Sequence, residues 1–134
     1  MVAQAQRLFP ALEFVVGDML DLPFADASVD ALVSFYSIVN FDEEQTRLAI
    51  GEMARVLVPA GLLALAFHIG TDVVHHDEWF GEPVSIDFSL HETASVSRDL
   101  LDAGLALDSL EERDPFPPPI EVQNRRCYIV ASRG

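Results

Sequence analysis

The chain has 134 residues, half of them apolar, which is enough for one domain with a core and excludes a disordered segment. It carries 22 acidic against 8 basic residues, a net charge of −14, and all eight bases are arginine. No basic cluster extends beyond Arg125-Arg126, so no nucleic-acid partner is expected, and a small-molecule substrate is the default. Apolar runs such as Gly61–Phe67 are too short to span a bilayer, and no signal peptide is visible. The single cysteine, Cys127, fits a reducing cytoplasm and a buried apolar role.

In chain order, Met1–Phe9 reads as a helix stopped by Pro10. Leu12–Val16 is a short Phe/Val-rich run, read as a buried strand, and Asp18–Ser28 is a loop punctuated by Pro23. Val29–Phe35 is a near-continuous apolar strand suited to a parallel sheet. Asp42 with Gln45 three residues on forms a capping-box pattern and opens a helix that Pro59-Ala60-Gly61 ends. Leu62–Phe67 is the next strand, and Ile69–Phe88 reads as irregular. Leu90–Ala103 is a helix closed by Gly104. Leu105–Leu110 and Arg126–Ala131 are two last strands, joined through a proline-rich bend and expected to be antiparallel. Strand–helix alternation of this kind implies an α/β fold with a largely parallel, doubly wound sheet, and Met1–Gly134 reads as a single domain.

Three segments carry a resemblance. Gly17-Asp18-Met19-Leu20-Asp21-Leu22-Pro23-Phe24 is followed by Ser28-Val29-Asp30. Then come Arg55-Val56-Leu57-Val58-Pro59-Ala60-Gly61 and Leu100–Leu110, LLDAGLALDSL. In this order they resemble the class I S-adenosylmethionine-dependent methyltransferase family, of the methyltransferase type 11 kind. Ala60 departs from the glycine usual at its position. The resemblance implies a Rossmann-like sheet with an antiparallel C-terminal strand. It makes Leu12–Val16 the third strand of the parent and Val29–Phe35 the fourth. The family's glycine loop and ribose-binding acid would lie before Met1. The chain is therefore expected to be the C-terminal two-thirds of the domain, lacking its first two strands and binding cofactor weakly or not at all by itself. That would leave Val29–Phe35 with an open edge, closed by Leu12–Val16 moving over or by a homodimer, the dimer being favoured.

The resemblance also implies site roles. Asp18 would meet the adenine amino group, Met19 would offer a backbone N–H and an apolar wall, and Phe35 and Tyr36 would face the methyl donor. Ser37 and Asn40 follow the carboxyl end of a strand, where such sheets bind ligands, and are candidate substrate contacts. His68, at the same edge, is the candidate general base. Trp79, with Phe80, is read as the apolar anchor of a lid or as core. His75 and His76 are adjacent, so their side chains diverge, and no metal site is expected. One of Arg125 and Arg126 is expected to pair with an acid of Ile69–Phe88. Beside a methyltransferase acting on a small acceptor stand two rival readings. One is a non-catalytic binding or oligomerising module; the other is part of an NAD-dependent oxidoreductase.

Overall fold

A computed structural model describes all residues, 1–134. The elements are α1 (Val2–Leu8), β1 (Val29–Phe35), a 3-10 turn (Ile38–Asn40), α2 (Glu43–Val56) and β2 (Leu57–His68). They continue with β3 (Val73–Trp79), β4 (Glu82–Ser89), α3 (Thr93–Asp102), β5 (Leu105–Arg113) and β6 (Arg126–Arg133). Four strands form one sheet in the order β1-β2-β6-β5. β1 and β2 are parallel, whereas β6 runs antiparallel to both β2 and β5. The fold is mixed α/β, with parallel pairing on one side of the sheet and the antiparallel C-terminal hairpin on the other.

Strand alternation decides which residues meet. On one face Leu63, Leu65 and Phe67 of β2 lie beside Ala131, Ile129 and Cys127 of β6, all buried. α2 and α3 cover this face with Ala49, Ile50, Met53, Val96 and Leu100, and these side chains form the core. α2 begins where the sequence indicates: the Asp42 side chain accepts from the Gln45 backbone N–H while the Gln45 side chain reaches back to the Asp42 backbone. The opposite face carries no helix; Val33 is 67 % and Phe35 52 % exposed there.

Three expectations are corrected. Leu12–Val16 is not a strand: no ladder partner reaches it, and Leu12, Val15 and Val16 are exposed. An apolar run becomes a strand only when a neighbour satisfies its backbone. It therefore does not move over to pair with β1, which bonds β2 alone and stands at the sheet edge. Ile69–Phe88 is not irregular but holds the β3–β4 hairpin, a separate two-stranded sheet. Its turn is Phe80-Gly81, both with positive φ, the backbone of a tight two-residue hairpin loop. Lastly, β2 begins at Leu57 and runs through Pro59-Ala60-Gly61 rather than after it.

Candidate functional site

Two clusters flank β1: an apolar cavity along its length, from Val29 to Ser37, and a polar cluster at the carboxyl ends of β1 and β2, where open α/β sheets receive ligands. The first is a mainly apolar cavity of about 480 Å³ between the 19–24 loop, β1 and α2. Met19, Leu22, Phe24, Leu32 and Met53 line it, with Ser34 and Ser37. Ser34 is 4 % exposed, and its Oγ has no hydrogen-bond partner. A buried, unpaired hydroxyl in an apolar wall is costly, so a ligand with a flat apolar body and one polar edge suits this space.

Arg55 of α2 holds the cavity loop in place. Its guanidinium donates to Phe24 O, Leu22 O, the Asp26 carboxylate and the Glu52 carboxylate. Glu52 accepts in turn from the Leu22 N–H at 2.8 Å. These hydrogen bonds hold the Arg55 guanidinium well above its ordinary pKa and keep the Glu52 carboxyl below its own. Asp18 turns inward on itself: its carboxylate accepts from the Leu20 N–H at 2.9 Å, and its carbonyl accepts from Asp21. It is exposed and acts in the structure as the turn residue of this loop.

The second cluster is polar. Tyr36, directly after β1, has φ +55, and its backbone N–H donates to Ala66 O. Its ring stacks on His68 with centroids 4.8 Å apart. Its hydroxyl lies 2.9 Å from that of Tyr128 on β6. Arg113 donates to Tyr128 at 3.0 Å and Arg126 to Tyr36 at 3.3 Å. Glu121 ties the two guanidiniums, at 2.7 Å from Arg113 and 3.2 Å from Arg126. These bonds pull the Glu121 carboxyl down to about 2. Burial, then the charge of Arg126, lowers the His68 imidazole below the usual histidine range, so it is neutral at pH 7. The Phe35 ring meets Tyr128 edge-on at 6.4 Å.

The residues singled out in the sequence thus divide. Met19 and Ser37 line the cavity; Phe35, Tyr36 and His68 sit in the polar cluster. Asn40 donates to Asp87 O and fastens the 3-10 turn to β4. Trp79 lies at the hairpin end, packed on His76, Phe80 and Phe88 and on none of the others. His75 is held between Asp87 and Asp77, whose hydrogen bonds raise its pKa. Arg125 and Arg126 pair with Glu112, Asp114 and Glu121, not with acids of Ile69–Phe88. Tyr128 and Arg113 were not legible as site residues. A β-bulge between Leu107 and Ser109 changes the parity of β5 and brings Arg113 opposite Arg126, on the face of Tyr128.

A family profile described as "Methyltransferase domain" matches residues 1–65. "Probable tRNA methyltransferase 9B" of Bos taurus is 50 % identical over 54 residues, 40 % of this chain and 12 % of that protein. "Demethylmenaquinone methyltransferase" of Beutenbergia cavernae is 42 % identical over 66 residues, 49 % of this chain and 27 % of that protein. The chain therefore spans about a quarter or less of the curated relatives it matches. Among solved structures, a Methanosarcina mazei protein described as a SAM-dependent methyltransferase has TM-score 0.76 at 18 % identity, covering 90 % of this chain and 66 % of its own. One from Mesorhizobium loti, described as an S-adenosylmethionine dependent methyltransferase, has TM-score 0.72 at 14 % identity, covering 99 % and 76 %. With this profile over residues 1–65, these partial relatives and this shared fold, the chain is similar to class I S-adenosylmethionine-dependent methyltransferases and has their fold.

Proposed function

We propose that Met1–Gly134 is part of one methyltransferase domain that transfers the methyl of S-adenosylmethionine to a small-molecule acceptor. The observation that carries this is the apolar cavity along β1 with its unpaired Ser34 hydroxyl, beside a separate polar cluster at the carboxyl ends of β1 and β2. A two-part ligand site suits a reaction that needs chiefly alignment and exclusion of water. Met19, Ser34 and Ser37 would hold the adenine end, with Asp18 shaping the loop around it, and Phe35 and Tyr36 would border the methyl. His68 and Asn40 would stand on the acceptor side, with neutral His68 able to take a proton there. Trp79, on the β3–β4 hairpin, would reach the acceptor only through movement of that hairpin.

A small acceptor is favoured over a polynucleotide by charge. Five of the eight arginines, at 47, 55, 113, 125 and 126, are already in ion pairs with this chain's own carboxylates. Few remain to neutralise phosphates. No helix is long and apolar enough to cross a membrane. We propose a cytoplasmic setting, in keeping with one buried cysteine.

None of the seven glycines lies two residues from another, so these 134 residues hold no glycine-x-glycine loop for the methionine end. A titration of the chain with S-adenosylhomocysteine, followed by backbone NMR, tests the reading. The expected result is binding on the order of 1 mM, about −4 kcal/mol, with shifts at Met19, Ser34 and Ser37. Filling the cavity with Met53→Trp should abolish them. Absence of shifts, or shifts confined to other surfaces, refutes the assignment.

A further inference from the structure

The chain has only two tyrosines, and they touch each other. Each phenol oxygen also accepts an N–H from a different arginine. A guanidinium only donates, and two phenols together hold two O–H protons. One proton fills the 2.9 Å bond between the oxygens. The other has no acceptor in the protein. The hydrogen-bonded set holds two guanidinium charges against the one carboxylate of Glu121, so release of that second proton neutralises it.

We propose that the Tyr36–Tyr128 hydroxyl pair is a proton-accepting centre that takes the proton of an acidic hydroxyl, of phenol or enol class, on the methyl acceptor. The proposal rests on the acceptor-side reading of this cluster and gives His68 the part of holding Tyr36 by stacking. Position supports it: Tyr36 follows the last residue of β1, and Arg126 lies across from His68, the last of β2. The exposed Phe35 ring, edge-on to Tyr128, offers an apolar wall for an aromatic or conjugated acceptor. Facing the pair are Arg113 on β5, Arg126 on β6, Glu121 in the connecting loop and neutral His68 on β2. Glu111, opposite Tyr128 in register, makes no hydrogen bond to it. Burial lifts the Tyr36 hydroxyl above the ordinary tyrosine value. The bond from Tyr36, then the guanidinium of Arg113, hold Tyr128 below it. Tyr128 is the oxygen that ionises first.

The step balances. The acceptor O–H bond breaks and its proton joins the Tyr128 phenolate. The electron pair left on the acceptor oxygen, or on a carbon conjugated with it, forms the new bond to the methyl carbon of a sulfonium donor. The carbon–sulfur bond breaks with its pair going to sulfur, and the phenol later returns its proton to water.

With two tyrosines, tyrosinate absorbance reads this pair alone. Titration of the chain should show two steps of equal amplitude separated by more than about one pH unit, the first below about 10. Tyr36→Phe, checked for folding by circular dichroism, should move the remaining step upward. A single two-tyrosine step at or above the ordinary value overturns the proposal on the unmodified chain alone. The second arm uses 4-nitrophenol, whose ionisation is coloured. At fixed pH, excess unmodified chain should raise its phenolate fraction relative to the Tyr128→Phe chain. Split tyrosine steps without this effect overturn the acceptor role. Both effects in a chain that binds no S-adenosylhomocysteine would remove the methyltransferase reading and keep the proton centre.

Discussion

Ala60 occupies a backbone position with φ +65, in the left-handed region that an L side chain resists. It stands in the Arg55–Gly61 segment, where the resemblance implies glycine. Ala60→Gly should stabilise the fold by about 0.5–1 kcal/mol, read as a higher urea midpoint; a lower midpoint would show that the strain is absent. Next to it Gly61 has no such freedom to give: a Cβ there would lie 2.8 Å from Val58 O. Glu121 supplies a pH prediction. Its folded value, about 2, is below the ordinary 4.5. The stabilisation it gives is thus present above about 4.5 and lost as pH falls towards 2. Arg113 and Arg126, directly opposite each other, then repel. An acid titration should show loss of Tyr36–Tyr128 contact across that window, and Glu121→Gln should bring the loss to neutral pH. Tyr36 and His68 could be picked out in sequence because they end strands. Glu121 could not, because its partners come from β5 and the start of β6.

At the scale of elements, α2 is both a core helix and the clamp of the cavity loop. Asp42→Ala removes the cap that sequence spacing revealed and should cost about 1 kcal/mol. Arg55→Leu acts differently. It frees two carbonyls and two carboxylates of the 22–26 loop and α2, so amides of residues 22–26 should exchange faster and S-adenosylhomocysteine shifts at Met19 should vanish. Unchanged exchange would show that apolar contacts alone hold the loop. Arg55 is visible in sequence as part of the Arg55–Gly61 segment, but its task of holding a loop some thirty residues upstream is a tertiary fact. The β3–β4 hairpin escaped sequence reading for a local reason. Its strands are polar, with four charged or histidine residues in Val73–Trp79, and only the Phe80-Gly81 turn and the His76–Trp79–Phe88 packing mark it.

At the scale of the molecule the open edge of β1 dominates. Val29–Phe35 bonds β2 on one side only, contains no proline, and exposes Val33 and Phe35 on the uncovered sheet face. Such an edge pairs with another strand when one is offered. We expect the isolated chain to form a dimer through β1 at tens of micromolar, seen by sedimentation, and Val33→Lys to weaken it. A clean monomer whose β1 amides exchange rapidly would refute this.

The sequence by itself determined what depends on neighbours along the chain: the capped helix α2, the bounds of β1, the glycine-ended helix α3, the terminal hairpin and the resemblance to methyltransferases. Each is written in residues a few positions apart, because caps, periodicity and turns are short-range. Tertiary structure alone decided whether an apolar run found a partner, and Leu12–Val16 did not. It alone decided that a bulge at β5 would turn Arg113 towards Tyr128. The polar cluster gathers residues 36, 68, 113, 121, 126 and 128 from four strands' ends and a loop. A strand's parity and its neighbours set that meeting, and neither is fixed until the sheet has formed.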